Sequence, residues 1–494
     1  MPRKMPIFYS ALLLTAVNLL LRLVSTSFQV YISGRIGAAG VGLLQLVMSV
    51  GAMAMTLGIA GIRTTAMYLN AEEFGKKRPQ NITWILSGCF LYSILCSGAV
   101  AAALYFGAPF FAENWIGDIR TADAIRTYAV FLPVCCLCGV MTGYFTAANR
   151  IGTLAAVEVA EQLFSMALTM SVLVFWAGSD PRKACQSIIL GNGISMCLTL
   201  TCLILLRLKE KPETGQRIPV RRRLLQAAVP LALADDLKAG ISTVENLMVP
   251  KRLALYEAIA EPLAAFGMVC GMVFPILMFP AAILYGLAEL LIPELARCAA
   301  AGSQKRIQYL AKRSLRVALI YGCFFGGLEF LLAEELCLRL YNSYEAAVFL
   351  RQYALLIPML YCDAITDAMI KGLGQQKASV RYNILTSSMD VAFLYLLLPK
   401  YGMQGYFFSF LITHLVNFIL SLRRLLKIVG QVISLSAPLL AVGCAAFSIW
   451  MVSGLKSVLL QSGAFLIIYF CLLFLMKVLQ AEDIRWIRGL VAKK

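Results

Sequence analysis

Residues 15–46 read TAVNLLLRLVSTSFQVYISGRIGAAGVGLLQL, the heart of a stretch that runs from Leu12 to Leu46. An apolar helix of about 20 residues crosses the hydrocarbon of a bilayer, and this run is long enough to do so. Arg22 stands near its middle. A guanidinium at that depth costs at least ~2.5–3.5 kcal/mol on insertion scales, so it must face a bundle interior or a wet cavity. The helix then meets Ser33-Gly34-Arg35-Ile36-Gly37-Ala38-Ala39-Gly40, a glycine-rich reversal ahead of a second apolar run. A cation at membrane depth followed by a tight turn suggests a polar path for an anionic cargo. The alternative is a structural pair between Arg22 and an interior carboxylate.

Composition extends this reading to the whole chain. Of 494 residues, 60% are hydrophobic and 14% charged, with a mean hydropathy of +0.78. Soluble domains carry roughly 25% charge, so an all-α polytopic membrane protein is expected. The net charge of +18 does not indicate nucleic acid, because the basic residues gather in short loops between apolar runs. That placement suits anionic lipids at the cytoplasmic face. The fifteen cysteines lie mostly within apolar segments, as in Cys135-Cys136-Leu137-Cys138. With a single histidine, neither a metal site nor a cofactor is expected, and the cysteines read as small core residues. Arg3 and Lys4 precede the first apolar run without a small-residue cleavage site, so that run is expected to stay as a span.

Hydropathy places about fourteen spans, near 7–32, 41–69, 82–108, 125–147, 154–177, 185–207, 224–245, 263–292, 311–333, 350–371, 379–398, 404–425, 432–453 and 458–479. Lys76-Lys77-Arg78, the run from Arg207 to Arg223, Lys305-Arg306, Arg423-Arg424 and the tail from Arg485 share one side. The positive-inside rule makes that side, and both termini, cytoplasmic in a multi-pass cell-membrane protein. Residues 208–223, rich in charge with Pro and Gly, read as a linker between an N-lobe at 1–207 and a C-lobe at 224–427. Spans thirteen and fourteen with the basic tail, 428–494, are an appendix. An echo supports two halves: Tyr144-Phe145-Thr146-Ala147-Ala148-Asn149-Arg150-Ile151-Gly152-Thr153 joins spans four and five, and Met369-Ile370-Lys371-Gly372-Leu373-Gly374-Gln375-Gln376-Lys377-Ala378 joins spans ten and eleven. Six spans per half make the repeats parallel, related by an axis along the membrane normal.

Ionisable residues within spans are the candidates for chemistry. Arg22, with Arg63, would supply cations to a cavity. Asp235, Asp236 and Glu245 on span seven, with Asp363 and Asp367 one turn apart on span ten, form a candidate ion relay. Glu158 and Glu161, Lys238 and Asp390 are further intramembrane charges, each of which an interior ion pair would also explain. His414 reads as a hydrogen-bonded core residue. Pro250, Pro275 and Pro280 kink spans seven and eight and are candidate gate elements. No Ser-His-Asp order, P-loop or dinucleotide fingerprint is present, and the outer loops near 109–124, 246–262 and 334–349 are short for a membrane-embedded polyprenyl-sugar transferase.

Several of these segments also resemble a known family. Arg22, with Arg35-Ile36-Gly37-Ala38-Ala39-Gly40-Val41-Gly42-Leu43-Leu44-Gln45, resembles the opening of the stage V sporulation protein B group, part of the multidrug/oligosaccharidyl-lipid/polysaccharide exporter superfamily. Val249-Pro250-Lys251-Arg252-Leu253 resembles the Pro-Arg-Arg-Leu segment after its span seven. Gly271-Met272 through Phe279-Pro280, with Leu291-Ile292-Pro293-Glu294-Leu295, resembles its span eight, and Gly372-Leu373-Gly374-Gln375 its span ten exit. The resemblance covers residues 1–427. It implies a fourteen-helix, two-lobed, V-shaped flippase whose cavity takes lipid-linked sugars; the paired acids would serve proton, sodium or membrane-potential coupling. Peptidoglycan-precursor flippases of the superfamily carry further arginines where this chain has Phe28 and Pro275, which favours other polyprenyl-linked glycans over lipid II. Cation-coupled export of small amphiphiles is the alternative within the superfamily.

Overall fold

Lipid offers no hydrogen bonds, so a chain this apolar must satisfy its backbone within helices or a closed barrel. The computed structural model describes residues 7–76, 78–177, 181–209, 220–430, 436–455 and 457–479, and no strand occurs among them. Arg3 and Lys4, Lys77, most of the linker and the tail from residue 480 lie outside the described residues, as does the side chain of Glu289.

Packing divides the chain into two units, Met1–Gly271 and Met272–Lys494. The first contains α1 (Ile7–Ile59), α2 (Ile62–Gly75), α3 (Ile82–Phe106), the single turn α4 (Ala108–Phe110), α5 (Ala122–Ala147), α6 (Ile151–Val172), α7 (Pro181–Leu208), α8 (Val220–Leu253) and α9 (Pro262–Met268). The second contains α10 (Phe274–Met278), α11 (Ala281–Ala300), α12 (Gln304–Tyr341), α13 (Tyr344–Ala354), α14 (Ile357–Gly372), α15 (Gln376–Val429), α16 (Ser436–Val452) and α17 (Val458–Leu475).

Among the described residues eight helices are long and apolar enough to cross a membrane, and two bent pairs, Pro262–Met278 with Ala281–Ala288 and Tyr344–Ala354 with Ile357–Gly372, raise this to ten. Two of the long helices are double. The glycine-rich stretch at 33–40, expected as a reversal, stays helical except at Gly37, whose φ of 68° and ψ of 176° separate two arms of α1. Gly402 (φ 55°, ψ −136°) does the same in α15. With α8 and the short apolar helix Pro438–Val452, the elements account for fourteen spans. Their surfaces suit lipid: only 17% of the apolar window in Val458–Leu475 is buried, and Phe175 and Leu459 lie 89% and 85% exposed. In water such a surface would drive aggregation.

Within the first unit, Tyr144, Phe145, Ile85 and Ile62 are buried in a core shared by α2, α3 and α5. The second arm of α1 meets α9 at glycines. A Cβ on Gly42 would stand 2.2 Å from the Leu263 carbonyl oxygen, and one on Gly267 2.1 Å from that of Ala38, so only glycine permits this crossing. At the start of α8, Arg223 donates to Glu73 at 3.0 Å and Glu72 at 2.8 Å, fastening the segment after the linker to the end of α2. Within the second unit, α16 and α17 dock on α12 through Cys323, Ala441 and Tyr469. The Tyr469 hydroxyl donates to the Ile320 carbonyl at 3.0 Å.

A repeat is written into the helix ends. The amides of Ala148, Asn149 and Arg150 donate to the carbonyls of Tyr144, Thr146 and Phe145; those of Leu373, Gly374 and Gln375 donate to Met369, Lys371 and Ile370. Each residue of the second set follows its counterpart in the first by one constant interval, the step from 144 to 369. The same interval relates Lys76→Glu72 to Ala301→Arg297, Arg78→Glu73 to Ser303→Cys298, and Asp118→Ala112 to Ser343→Cys337. Left-handed residues follow suit, Gly117 with Asn342 and Asn149 with Gly374, as such helix caps require.

Candidate functional site

The sequence candidates fall into both units. In the first, Arg22 is half-buried on α1 and Arg63 is exposed at the start of α2. The stem of Arg63 runs beside α5, where a Cβ on Gly139 would lie 3.7 Å from its own Cβ, and its charge is within electrostatic reach of Glu158 on α6. Asp235 is exposed and Asp236 and Glu245 half-buried on α8. Oδ1 of Asp236 is buried without a hydrogen-bond partner.

In the second unit, Asp363 and Asp367 share one face of α14, and each has partners of its own. Asn417 Nδ2 on α15 donates to Asp363 Oδ2 at 3.0 Å. Asp363 Oδ1 and Asn417 Oδ1 are both buried and without a hydrogen-bond partner, so two acceptors stand together with no donor assigned to them. Asp367 takes the Ser379 hydroxyl and pairs with Lys371 at 2.5 Å. Farther along α15, Asp390 accepts from Ser409 across the Gly402 break. His414 Nδ1 lies 2.9 Å from the Phe410 carbonyl and its ring stacks on that phenyl.

Each of the three prolines has a definite place. Pro250 is in the last turn of α8, and Pro275 opens α10 after the π turn Val269–Val273. Pro280 sits at a 63° bend between α10 and α11. Bending frees backbone carbonyls that must find donors. The Tyr321 hydroxyl donates to the Pro280 carbonyl at 2.7 Å and that of Tyr361 to Leu277 at 3.2 Å.

The second unit also holds a groove of about 570 Å³. Its floor is a stripe of α12 from Lys312 through Arg316, Leu319, Cys323 and Gly326 to Phe330, and α14, α15 and α16 form its walls. At 1.5 Å of rise per residue this stripe extends about 27 Å, close to the bilayer hydrocarbon. The lining is apolar except at one end, where Lys312 and Arg316 stand. Hydropathy could not find it, because it is made by helices remote in sequence.

One intramembrane acid is absent from the sequence candidates. Glu329 on α12 is 4% exposed, and neither carboxyl oxygen has a hydrogen-bond partner. A single Glu leaves the hydropathy of span nine high, which is why the window passes over it.

Bent and glycine-broken spans, intramembrane acids and an amphipathic groove define a polytopic all-α membrane protein. Solved structures agree on the fold: "Lipid II flippase MurJ, inward closed conformation" superposes with a TM-score of 0.71 over 93% of this chain and 98% of that one at 13% identity. "Inward-facing conformation of a multidrug resistance MATE family transporter of the MOP superfamily" gives 0.65 over 84% and 99%, also at 13% identity. The family described as Polysaccharide biosynthesis protein matches residues 8–226. In sequence the chain is similar to Stage V sporulation protein B of Bacillus subtilis (strain 168), 22% identical over 406 residues, 80% of this chain and 78% of that protein.

Proposed function

We propose that this protein flips a lipid-linked oligosaccharide or related cell-envelope precursor from the cytoplasmic to the outer leaflet by alternating access. The observation that carries this reading is the groove beside α12. An amphiphile with a long prenyl chain and a phosphate needs an apolar channel about as long as a leaflet pair is thick, with cations at the headgroup end. Lys312 and Arg316 occupy the end that the positive-inside rule places toward the cytoplasm, where the substrate is loaded. Arg22 and Arg63 are the candidate pyrophosphate ligands within the first unit. Asp363 with Asn417 and Asp367 offers acceptor oxygens for a coupling cation in the second unit; Asp235, Asp236 and Glu245 are the separate relay candidates of the first. Pro250, Pro275 and Pro280 lie where the helices bend on passing between states. The sequence halves 1–207 and 224–427 supply the two lobes, with α8 and α9 packed in the first compact unit. No bond of the substrate is broken, so the protein acts as a carrier rather than an enzyme.

Purified protein in liposomes, offered several lipid-linked sugars, should expose their headgroups to an external glycan-modifying enzyme. Ala446 is exposed and lines the groove, so Ala446→Trp fills it without crowding the core. Translocation should fall at least tenfold with an unchanged melting temperature. Full activity in Ala446→Trp would remove the groove from the path. Efflux of a cationic dye without any headgroup translocation would replace the reading by export of small amphiphiles, the activity class to which the superfamily fold also belongs.

A further inference from the structure

Glu329 is the feature of the second unit that neither the groove nor the Asp363 pair uses. It lies in the apolar part of α12, buried to 4% exposure with both oxygens bare. Among the described residues no Lys, Arg or His pairs with it. Titratable side chains within its electrostatic reach include Tyr321 and Cys337 on α12 and Tyr361 on α14. None of these supplies a positive charge. A metal ion would want several oxygen ligands, and no cluster of three or more His, Cys, Asp and Glu gathers among the described residues. A carboxylate left charged and unsolvated there would be strongly unfavourable. A proton would neutralise it without any further partner.

Packing does not demand an acid at this position. The repeat interval carries Glu329 onto Leu104 of α3, equally buried at 4% exposure, while Tyr353 maps onto Tyr128 and Pro358 onto Pro133. The two halves share the fold, the tyrosine and the proline, and only one carries the acid. They differ also in the helix opposite. Pro133 sits within the continuous α5, whereas the helix before Pro358 breaks into α13 and α14 with a 54° bend. Gly326, one turn from Glu329 on the same side of α12, meets that break: a Cβ on it would stand 2.9 Å from the Ala354 carbonyl oxygen. Ala354 lacks an amide four residues on, because residue 358 is proline. Tyr321 and Tyr361, the other neighbours, hold the carbonyls at the second bend. Glu329 thus lies within electrostatic reach of the tyrosines at one bend and one turn from the glycine at the other.

We propose that Glu329 is a proton-binding site, protonated in the state seen here, and that gain and loss of its proton bias the two broken spans. Only the use of that proton to drive cargo rests on the transporter reading; occupancy of the site does not. Infrared difference spectra of the purified protein should show the carbonyl stretch of a protonated carboxyl, lost in Glu329→Gln. Identical spectra for the two proteins would overturn the proposal. Glu329→Leu, which copies position 104, should melt no lower than wild type; a marked fall would make the carboxyl structural and overturn the switch. In proteoliposomes, the ratio of headgroup translocation with and without a pH gradient should fall to unity in Glu329→Gln. A gradient that drives this variant as well as wild type would overturn the coupling role. Absence of translocation in wild type would instead fault the substrate assignment, with the carboxyl band still deciding the proton site.

Discussion

At the scale of single residues, Arg22 and Glu329 pose the same problem of an ionisable group at membrane depth, and the sequence reveals them unequally. Arg22 interrupts the first apolar run at its centre, so it is conspicuous. Glu329 hides in a span whose average stays apolar, and its lack of partners is visible only once the neighbouring helices are in place. The roles of such groups separate in substitutions. Arginine offers a planar fork that matches phosphate oxygens bidentately, whereas lysine is a compact point charge. A charge-assisted hydrogen bond is worth ~1.5–3 kcal/mol, so Arg22→Ala should weaken binding of a lipid-linked pyrophosphate by roughly ten- to a hundred-fold. Arg22→Lys should keep part of that affinity, and both should melt like wild type. If Arg22 serves an interior acid instead, the alanine variant strands that acid, and the melting temperature falls while the affinity of the surviving protein stays. Titration calorimetry and thermal melts in one detergent distinguish these outcomes.

At the scale of elements, hydropathy located the spans well because burial in lipid is a property of a whole window, while the breaks depend on single dihedrals. The stretch 33–40 illustrates this: Gly34 and Gly40 remain within α1, and Gly37 alone leaves the helical region. The pair φ 68°, ψ 176° belongs to a region open essentially to glycine, and a side chain there costs about 1–3 kcal/mol. Nothing lies within 4 Å of a Cβ at either Gly34 or Gly37, so contact terms cancel between them. Gly37→Ala should therefore lower the melting temperature through backbone strain alone. Gly34→Ala, in ordinary helix, should leave stability unchanged or raise it slightly, by ~0.5–1 kcal/mol. Equal behaviour of the two variants would mean that the arms of α1 can rejoin without the break.

At the scale of the whole molecule, the constant interval between the halves gives a test of topology that does not depend on hydropathy. The echo at 144–153 and 369–378 is readable in the sequence because it uses glycine-like residues at helix caps. Its companions near 72–81 and 112–118 are not readable, because the side chains there have diverged while the backbone hydrogen bonds have kept their spacing. Parallel repeats of six spans return the chain to the same side, so positions one repeat interval apart must share a compartment. Inverted repeats would place them on opposite sides. Gln80 and Lys305 form such a pair at the basic face, both exposed. Ile119 and Tyr344 form another in the outer connections, 54% and 59% exposed. Cysteines placed singly at these four sites, in a background whose two exposed native thiols Cys202 and Cys471 are replaced by serine, should fall into two classes. Ile119→Cys and Tyr344→Cys should react with an impermeant maleimide on intact cells. Gln80→Cys and Lys305→Cys should react only after permeabilisation, in accord with the excess of Lys and Arg on their side. Members of one pair reacting from opposite sides would overturn the parallel repeat; both pairs reacting from the same side would overturn the span count between them.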